Sequence, residues 1–363
     1  MRYKLSEIAD FNPRESIKKG TFGRKVAMDI LQPFCRDIPG FEYAAYTGGT
    51  KFRNGDTIMA RITPCLENGK ISKVNILDDG EIGFGSTEYI VFRAKKGIVD
   101  EDFLYYLVCS PIVHEPAIKS MVGSSGRQRV QTDVVQNLEV DIPDFATQRK
   151  IGQLLKSLDD KIALNTAINE NLQEQAKAIY TDMFISNASS TWKIGHLSDL
   201  ITVRYGKDHK KLADGTYPVY GSGGIMRYVE RPIYDKESVL IPRKGTLNNV
   251  MYVNEPFWSV DTMFFTEMKL PNVAKFVFHF VKSKDLASLN AGSAVPSMTT
   301  DILNAMELPI PDADTLGKFE TIVAPMYLTV QQNTQESSKL AELRDSLLPQ
   351  LMSGELDVSD IDL

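Results

Sequence analysis

The chain has 363 residues, of which 43% are hydrophobic and 24% charged, and its formal net charge is −6. This length exceeds what one hydrophobic core usually supports, so two domains are predicted. No apolar run approaches the roughly 18 residues of a membrane span, which predicts a cytoplasmic protein without membrane contact. The three cysteines lie far apart, which fits neither a disulfide framework nor a zinc site.

The negative charge is unevenly distributed along the chain. Residues 302–363 carry 3 basic and 11 acidic side chains, whereas residues 189–301 carry 14 basic and 11 acidic ones. Phosphate groups respond to charges within a Debye length of about 10 Å. The overall acidity therefore neither supports nor excludes nucleic acid as a partner.

In chain order, strand-rich segments alternate with long helical ones. Short apolar or β-branched runs bounded by Gly, Pro and Asn, such as 56–62 and 88–93, are typical of strands. Each strand-rich segment closes on an extended run that ends in proline, and a helix follows at once. The predicted organisation is a first module over 1–144, a helix over 145–187, a second module over 188–312, a helix over 313–352, and an acidic tail over 353–363, which is expected to fray from Glu355 to Leu363.

The second half of the chain repeats the first. At a constant offset of 168 residues, Thr132-Asp133 lies over Thr300-Asp301, and Ile142-Pro143-Asp144 lies over Ile310-Pro311-Asp312. Earlier segments match at drifting offsets, as expected where loops vary in length. Self-similarity of this kind predicts an internal duplication that yields two pseudo-symmetric modules.

Both long helices carry a heptad seam. The first runs from Ile151 to Met183 at alternating spacings of four and three, and the second runs from Phe319 to Leu351. The alternative is the core face of an ordinary helix, but globular helices average only about eleven residues. Pro325 lies inside the second seam and should kink or loosen its first turns.

A twofold relation between the repeats requires the two helices to run antiparallel. In layers whose residue numbers sum to 502, Ile151 faces Leu351, and one unfavourable layer pairs Leu158 with Arg344. The predicted fold is therefore α+β, with two pseudo-symmetric α/β modules separated by two long antiparallel coiled-coil helices.

The same register gathers the polar residues of both seams. Asn165 faces Ser337 and Asn169 faces Asn333, which gives two central polar layers. Such layers fix the register of a helix pair at some cost in stability. The seam is about 48 Å long, which corresponds to about fourteen base pairs of DNA. Two modules on such a spacer suit a split, asymmetric DNA site.

Several stretches together resemble one protein family over essentially the whole chain. They are ARITPCLENGK at 60–70, GSTEY at 85–89, YGSGG at 220–224, IPRKGT at 241–246, PFWSVDT at 256–262 and LRDSLLPQLMSGEL at 343–356. The sequence resembles the specificity (S, HsdS) subunits of type I restriction–modification systems.

This resemblance implies a bacterial or archaeal protein with two target-recognition domains that bind double-stranded DNA. It also implies two modification subunits as partners, which methylate adenine with S-adenosylmethionine, and restriction subunits that join them. The chain itself is expected to bind no cofactor and no metal, and to supply sequence choice without catalysis.

Arg61 and Arg243 occupy the same repeat position at the end of a strand, where a guanidinium can contact phosphate or guanine edges. The alternative role for each is a structural salt bridge. The glycine-rich basic loop 123–129, which matches 291–297, suits close approach to the DNA backbone, or it is an exposed hinge. The basic stretch 204–211 is a phosphate-contact loop or a solvated one.

From these patterns we predict a set of DNA-binding residues spread over both modules. They are Arg24, Lys25, Arg53, Arg61, Thr63, Arg127, Gln128, Arg129, Arg204, Lys207, Lys210, Tyr220, Arg243 and Lys244.

Two other classes of function remain as alternatives. The chain has no Asp/Asn-Pro-Pro-aromatic motif of an amino-methyltransferase, but Glu267-Met268-Lys269 with Asp261 weakly imitates the active site of a metal-dependent nuclease. A coiled-coil scaffold is the third class; it explains the helices but not the duplicated modules with basic loops.

Overall fold

The structure is a computed structural model that describes residues 1–124, 126–289 and 297–358. The chain divides into two units. Unit 1 comprises Met1–Ala167 and Gln332–Leu363, and unit 2 comprises Ile168–Gln331. Each unit therefore contains one strand-rich module together with one segment of each long helix.

Unit 1 combines a mixed set of short strands with short helices. Its strands are β1 (Arg2–Lys4), β2 (Ala9–Phe11), β3 (Phe22–Val26), β4 (Glu42–Ala45), β5 (Thr50–Phe52), β6 (Thr57–Ala60), β7 (Ile71–Lys73), β8 (Gly83–Gly85), β9 (Tyr89–Ala94) and β10 (Glu139–Asp141). Its helices are α1 (Leu5–Ile8), α2 (Glu101–Cys109), α3 (Pro111–Lys119), α4 (Thr132–Gln136) and the first part of the long helix α5 (Phe145–Thr181). The sheet β2-β9-β6-β7 is antiparallel, whereas β4-β3-β8-β5 contains the parallel pair β3–β8.

Unit 2 has a closely similar composition. Its strands are β11 (Lys193–His196), β12 (Ile201–Tyr205), β13 (Asp214–Gly221), β14 (Gly224–Val229), β15 (Ser238–Pro242), β16 (Met251–Val253), β17 (Trp258–Ser259), β18 (Met263–Met268) and β19 (Glu307–Ile310). Its helices are the end of α5 with a π-helical extension (Asp182–Ser186), α6 (Leu197–Leu200), α7 (Ala274–Lys282), α8 (Thr300–Asn304) and the first part of α9 (Ala313–Ser353). Its sheets have the orders β12-β18-β15-β16 and β14-β13-β17.

The two modules share most of their topology, which confirms the predicted pseudo-symmetry, although among the described residues the mixed sheet has a fourth strand, β5, only in unit 1. The antiparallel sheet β12-β18-β15-β16 matches β2-β9-β6-β7 strand for strand, and the parallel pair β13–β17 matches β3–β8. Individual hydrogen bonds coincide as well. The Leu5 N–H donates to the Leu138 carbonyl at 2.8 Å, and the Leu197 N–H donates to the Met306 carbonyl at 2.8 Å.

The long helices are antiparallel within each unit, as predicted. In unit 1, Ile151 near the start of α5 shares a hydrophobic cluster with Leu351 near the end of α9. In unit 2, Tyr180 near the end of α5 shares a cluster with Phe319 and Val323 near the start of α9. Each unit thus closes its core with segments that lie far apart in the sequence.

Polar residues lie in the seam between the helices. In unit 1, Asn165 is fully buried, and its Nδ2 donates to Ser337 Oγ at 3.3 Å and to Glu336 Oε2 at 2.7 Å. In unit 2, Asn169 Nδ2 donates to the Val330 carbonyl at 3.4 Å. The facing of Asn169 and Asn333 stays a prediction.

The layer predicted to pair Leu158 with Arg344 contains a buried ion pair. Arg344 Nη1 donates to Asp159 Oδ1 at 2.6 Å, next to Leu158, and both residues are less than 10% exposed. The Tyr106 hydroxyl donates to the other Asp159 oxygen at 2.6 Å. Burial and the adjacent carboxylate raise the Tyr106 pKa well above its usual value, so the hydroxyl keeps its proton.

The second long helix and the tail that follows it are more regular than the sequence predicts. α9 is helical without a break through Pro325, where the sequence predicts a kink or loosened turns. The prediction that the acidic tail frays is wrong for its described part, because Val358 is only 1% exposed and Leu356 packs against the core of unit 1. Burial of these apolar side chains offsets the entropy lost by ordering the chain. Residues 359–363 lie outside the described residues.

A buried histidine marks the contact between α7 and α9 in unit 2. The His279 ring stacks on Tyr180 at 5.1 Å, and its Nε2 lies 2.9 Å from the Tyr327 hydroxyl. Burial, reinforced by the charges of Lys282 and Lys177, lowers the His279 pKa to about 4. The native state therefore holds this imidazole neutral.

Among the described helices, none is both long enough and apolar enough to cross a membrane.

We predict that removing the Arg344 charge destabilises unit 1. Arg344→Met leaves Asp159 buried without its cation and should lower the free energy of unfolding by about 3–5 kcal/mol. Hydrogen exchange of the α2 amides measures this loss. Arg149→Met, which removes an exposed arginine of α5, is the matched control and should have little effect. Adding Asp159→Leu to Arg344→Met should recover most of the loss, and no recovery would contradict the assignment.

We also predict that unit 2 loses stability as the pH falls. The His279 pKa is about 4 in the folded state and near 6.5 when unfolded. The unfolded chain therefore binds the proton first, and stability present above pH 6.5 is lost toward pH 4. The loss specific to His279 should reach on the order of 3 kcal/mol. Urea unfolding followed by tryptophan fluorescence reports it, because Trp192 and Trp258 both lie in unit 2. Equal pH dependence in wild type and His279→Gln would refute it.

Candidate nucleic-acid interface

The two arginines matched by the repeat occupy equivalent places in the two units. Arg61 directly follows β6, and its N–H donates to the Glu88 carbonyl at 2.9 Å. Arg243 directly follows β15, and its N–H donates to the Thr262 carbonyl at 2.9 Å. Glu88 and Thr262 each precede the neighbouring strand of their sheets. The fold thus presents one arginine at the same sheet corner of each module.

Neither arginine has a carboxylate partner within the described residues. Arg243 Nη1 donates to the Asp261 carbonyl at 3.2 Å, and its guanidinium lies over the Tyr205 ring at 5.3 Å. Arg61 Nη2 donates to the Val130 carbonyl at 3.3 Å, and its Nε is buried without a hydrogen-bond partner. The alternative role as a structural salt bridge therefore finds no support in the part of the chain that the structure describes.

In unit 2 further cations converge on this corner. The Lys207 N–H donates to the Ser259 carbonyl at 2.8 Å, and the Lys244 N–H donates to the Thr262 carbonyl at 3.2 Å, so the end of β17 and the loop that follows it bring both together. Both lysines are exposed, and among the described residues their ammonium groups have no partner. We refer to Tyr205, Lys207, Arg243 and Lys244 as the basic corner.

The neighbouring basic residues of the 204–211 stretch differ from one another. Arg204 is ion-paired with Glu267 at 3.0 Å. Glu267 is the carboxylate of the tripeptide that resembles a nuclease motif, and this ion pair occupies it. Within the described residues, no cluster of three metal-binding side chains occurs. Lys210 is exposed, and its N–H donates to Asp208 in a local turn.

Most predicted cations of unit 1 are engaged by acids instead. Arg24 pairs with Glu81 and with Asp78 at 2.9 Å. Lys25 pairs with Glu42 at 2.9 Å, and Arg53 with Glu15 at 2.6 Å. The acids lie between 17 and 57 residues away along the chain. Sequence spacing alone did not reveal these pairs.

The glycine-rich loop of unit 1 lies beside Arg61. The Arg129 backbone forms an isolated antiparallel β-bridge with Ile62, and its guanidinium binds Glu88 at 2.6 Å. This hydrogen bond and the positive charge hold the Glu88 pKa below its ordinary value against the effect of burial. Arg127 is exposed without a side-chain partner in the described residues. Ser125 lies outside the described residues, as do residues 291–296 of the matching loop in unit 2.

Two further predicted residues lie close to the main chain or the core. The Thr63 N–H donates to the Gln128 carbonyl at 3.1 Å, which ties the residues after Arg61 to the loop. The Tyr220 hydroxyl donates to Glu255 at 3.2 Å, and burial raises its pKa. Tyr220 is therefore held by an internal contact.

The sequence patterns missed one matched surface. The hairpin β3–β4 exposes Phe22 and Tyr43, and the equivalent hairpin β13–β14 exposes Met226 and Tyr228. Apolar side chains on the outer face of a hairpin are the signal that would have revealed them.

Comparison with known proteins supports the same family as the sequence motifs. The chain matches the family described as type I restriction modification DNA specificity domain over residues 2–174 and 189–337. It is 22% identical to the HindI specificity subunit of Haemophilus influenzae, across 88% of this chain and 89% of that protein. It is 36% identical to the EcoAI specificity subunit of Escherichia coli, across 40% of this chain and 26% of that protein.

One solved structure has a similar fold. The S subunit of a type I restriction–modification system from M. genitalium superposes with a TM-score of 0.61 at 16% identity, covering 97% of this chain and 96% of that one. The family match spans most of both halves of the chain. The chain therefore belongs to the family of type I restriction–modification DNA specificity subunits.

Proposed function

We propose that this chain reads a bipartite, asymmetric DNA site, with each module contacting one half-site. The observation that carries the proposal is that Arg61 in unit 1 and Arg243 in unit 2 lie at equivalent corners of their sheets. Within the described residues, neither arginine has a carboxylate partner. An unpaired guanidinium retains its donors for phosphate or for the O6 and N7 atoms of guanine.

The contacts of unit 2 suggest different roles for the residues of its basic corner in binding DNA. Stacking on Tyr205 and a hydrogen bond to a main-chain carbonyl restrain the Arg243 guanidinium. A restrained side chain loses little entropy when it binds a base edge. Lys207 and Lys244 are exposed, which suits contact with phosphate, because phosphate contacts carry no sequence information. Arg243 is therefore the candidate base reader and the lysines are candidate phosphate contacts.

We further propose that the chain is not itself catalytic. Two modification subunits methylate adenine with S-adenosylmethionine, and restriction subunits join the complex. The chain contributes sequence choice to them and binds no cofactor of its own. Exposed apolar residues on the outer faces of the long helices, such as Leu164 in unit 1 and Leu328 in unit 2, are candidate contacts for the modification subunits.

We predict that the two arginines control opposite halves of the methylated motif. In cells expressing the complete complex, Arg61→Ala should relax or change one half of the motif, and Arg243→Ala the other. Each lost bidentate contact should reduce discrimination by about 1–3 kcal/mol at its position. Methylation-aware sequencing of the host genome reads both halves at once.

Two matched variants sharpen this test. Lys207→Ala should weaken methylation uniformly across sequences, since phosphate contacts carry no base information. Arg204→Ala removes an arginine that is already paired with Glu267 and should leave the motif unchanged. If either arginine variant altered both halves together, the assignment of one module to each half-site would be wrong.

We predict that methyl transfer requires the partner. The purified chain incubated with DNA and labelled S-adenosylmethionine should transfer no label. Addition of the purified modification subunit should produce labelled N6-methyladenine in DNA that carries the motif. Label transferred by the chain alone would contradict the proposed division of roles.

A further inference from the structure

In each unit a nine-residue helix of the module packs on the long helices, α2 in unit 1 and α7 in unit 2. The C-terminal caps of these helices coincide. Ser110 Oγ donates to the Leu107 carbonyl at 2.8 Å, and Ser283 Oγ donates to the Phe280 carbonyl at 2.7 Å. Counting back from these serines makes Asp102 of α2 equivalent to Lys275 of α7.

The long helices have an equally clear correspondence. Asp144 caps the start of α5 through the Thr147 N–H at 3.1 Å, and Asp312 caps the start of α9 through the Thr315 N–H at 2.8 Å. Counting forward from these caps makes Gly152 of α5 equivalent to Glu320 of α9. The same position of the duplication thus carries no side chain in one unit and a carboxylate in the other.

In unit 1 a side chain at this position would be crowded. Gly152 is buried, and a Cβ atom placed on it would lie 3.0 Å from the main-chain nitrogen of Phe103. It would also lie 3.1 Å from Asp102 Cβ and 3.2 Å from Asp100 Oδ1. The first turn of α2 therefore packs directly on the helix backbone, and the side chains nearest to the contact are acidic.

In unit 2 the same position provides a buried ion pair. Lys275 is 3% exposed, and its Nζ donates to Glu320 Oε1 at 2.7 Å and to Glu237 Oε1 at 2.6 Å. The ammonium also lies over the Tyr252 ring at 5.0 Å. A buried lysine needs such partners, because an unpaired charge in this environment is costly.

The residue at the matched position of the module helix is thus an acid in unit 1 and a base in unit 2, although Arg36 of the first module also pairs with Asp160 of α5 at 3.3 Å. Asp102 of the first module is bound by Lys73 and, at 3.3 Å, by Arg36 of the same module, next to a bare glycine. Lys275 of the second module is bound in part by Glu320 of the helix. Shape and charge both distinguish the two places.

We propose that Gly152 and Glu320 match each module to its own helix segments, so that the order of the two recognition modules in this chain is fixed. At the second position, the first module would meet the Glu320 side chain where the first turn of its α2 lies directly on the helix backbone in unit 1. At the first position, the second module would lose one partner of Lys275 but would meet no obstruction. The exclusion is therefore stronger in one direction.

The first experiment tests position 152 in the intact chain. Gly152→Ala should lower the thermal midpoint by several degrees and increase hydrogen exchange in α2. Gly317→Ala is the matched control, because a Cβ there meets only the end of Asn272 at 3.8 Å, and alanine should equal or improve on glycine within a helix. Equal effects of the two substitutions would overturn the steric part of the proposal.

The second experiment tests the order of the modules. In a full-length chimera, residues 188–312 are replaced by a second copy of residues 1–144. With Glu320 present, the inserted α2 should show little protection from hydrogen exchange, and Glu320→Gly should restore protection by at least tenfold. Equal protection in the two chimeras, whether high or low, would show that residue 320 does not control the match.

A third variant pair tests the charge without any chimera. Glu320→Lys places two ammonium groups together and should lower the thermal midpoint of unit 2, followed by tryptophan fluorescence. Adding Lys275→Glu should restore most of it, and no restoration would overturn the electrostatic part. All three readouts measure folding without DNA, so their failure would leave the proposed function untouched, and a failure of DNA recognition would leave this inference untouched.

Discussion

The antiparallel packing of the two long helices is the constraint on which each half of this protein depends. It brings Leu351 and Met352 of α9 into the same hydrophobic cluster as Ile151 and Leu155 of α5, so the core of unit 1 is completed by residues from the far end of the chain. Unit 2 is completed in the same way by Ala176 of α5 with Phe319 of α9. The free energy of burying these apolar side chains is available only when both helices are present. Each module therefore shares a hydrophobic core with its helix segments.

Buried polar groups give the helix packing its specificity. The Arg344–Asp159 pair, joined by the Tyr106 hydroxyl, adds a requirement for partners of complementary shape and charge that apolar side chains alone would not impose. The equivalent place in unit 2 holds the neutral pair His279–Tyr327. Divergence after duplication has thus kept the topology and exchanged the chemistry of the contacts.

The distribution of charge over the modules has a similar logic. Arg53, Arg24 and Arg129 are held by carboxylates, and a paired cation presents little net charge to a polyanion beyond a Debye length. The cations of the basic corner in unit 2 have no such partner in the described residues. Local pairing, and not the net charge of −6, decides where DNA can be attracted.

Local sequence pattern determined the duplication, the two long helices and the equivalence of Arg61 with Arg243. Each of these follows from residue spacing: a constant offset, a heptad period and a strand that ends in a basic residue. The antiparallel direction also followed, because it is the one that places apolar and polar residues in matching layers.

Only the tertiary structure decided which charged groups are free. Arg24 and Glu81 are 57 residues apart, and Arg344 and Asp159 are 185 apart, so no periodicity connects them. For the same reason, the sequence pattern predicted neither the burial of Val358 in the acidic tail nor the close approach of α2 to Gly152. A side chain's partners depend on the folded path of the whole chain, whereas its helix or strand depends mainly on near neighbours. For this reason the architecture could be predicted from the sequence, whereas the pairing of charged groups at the candidate interface could not.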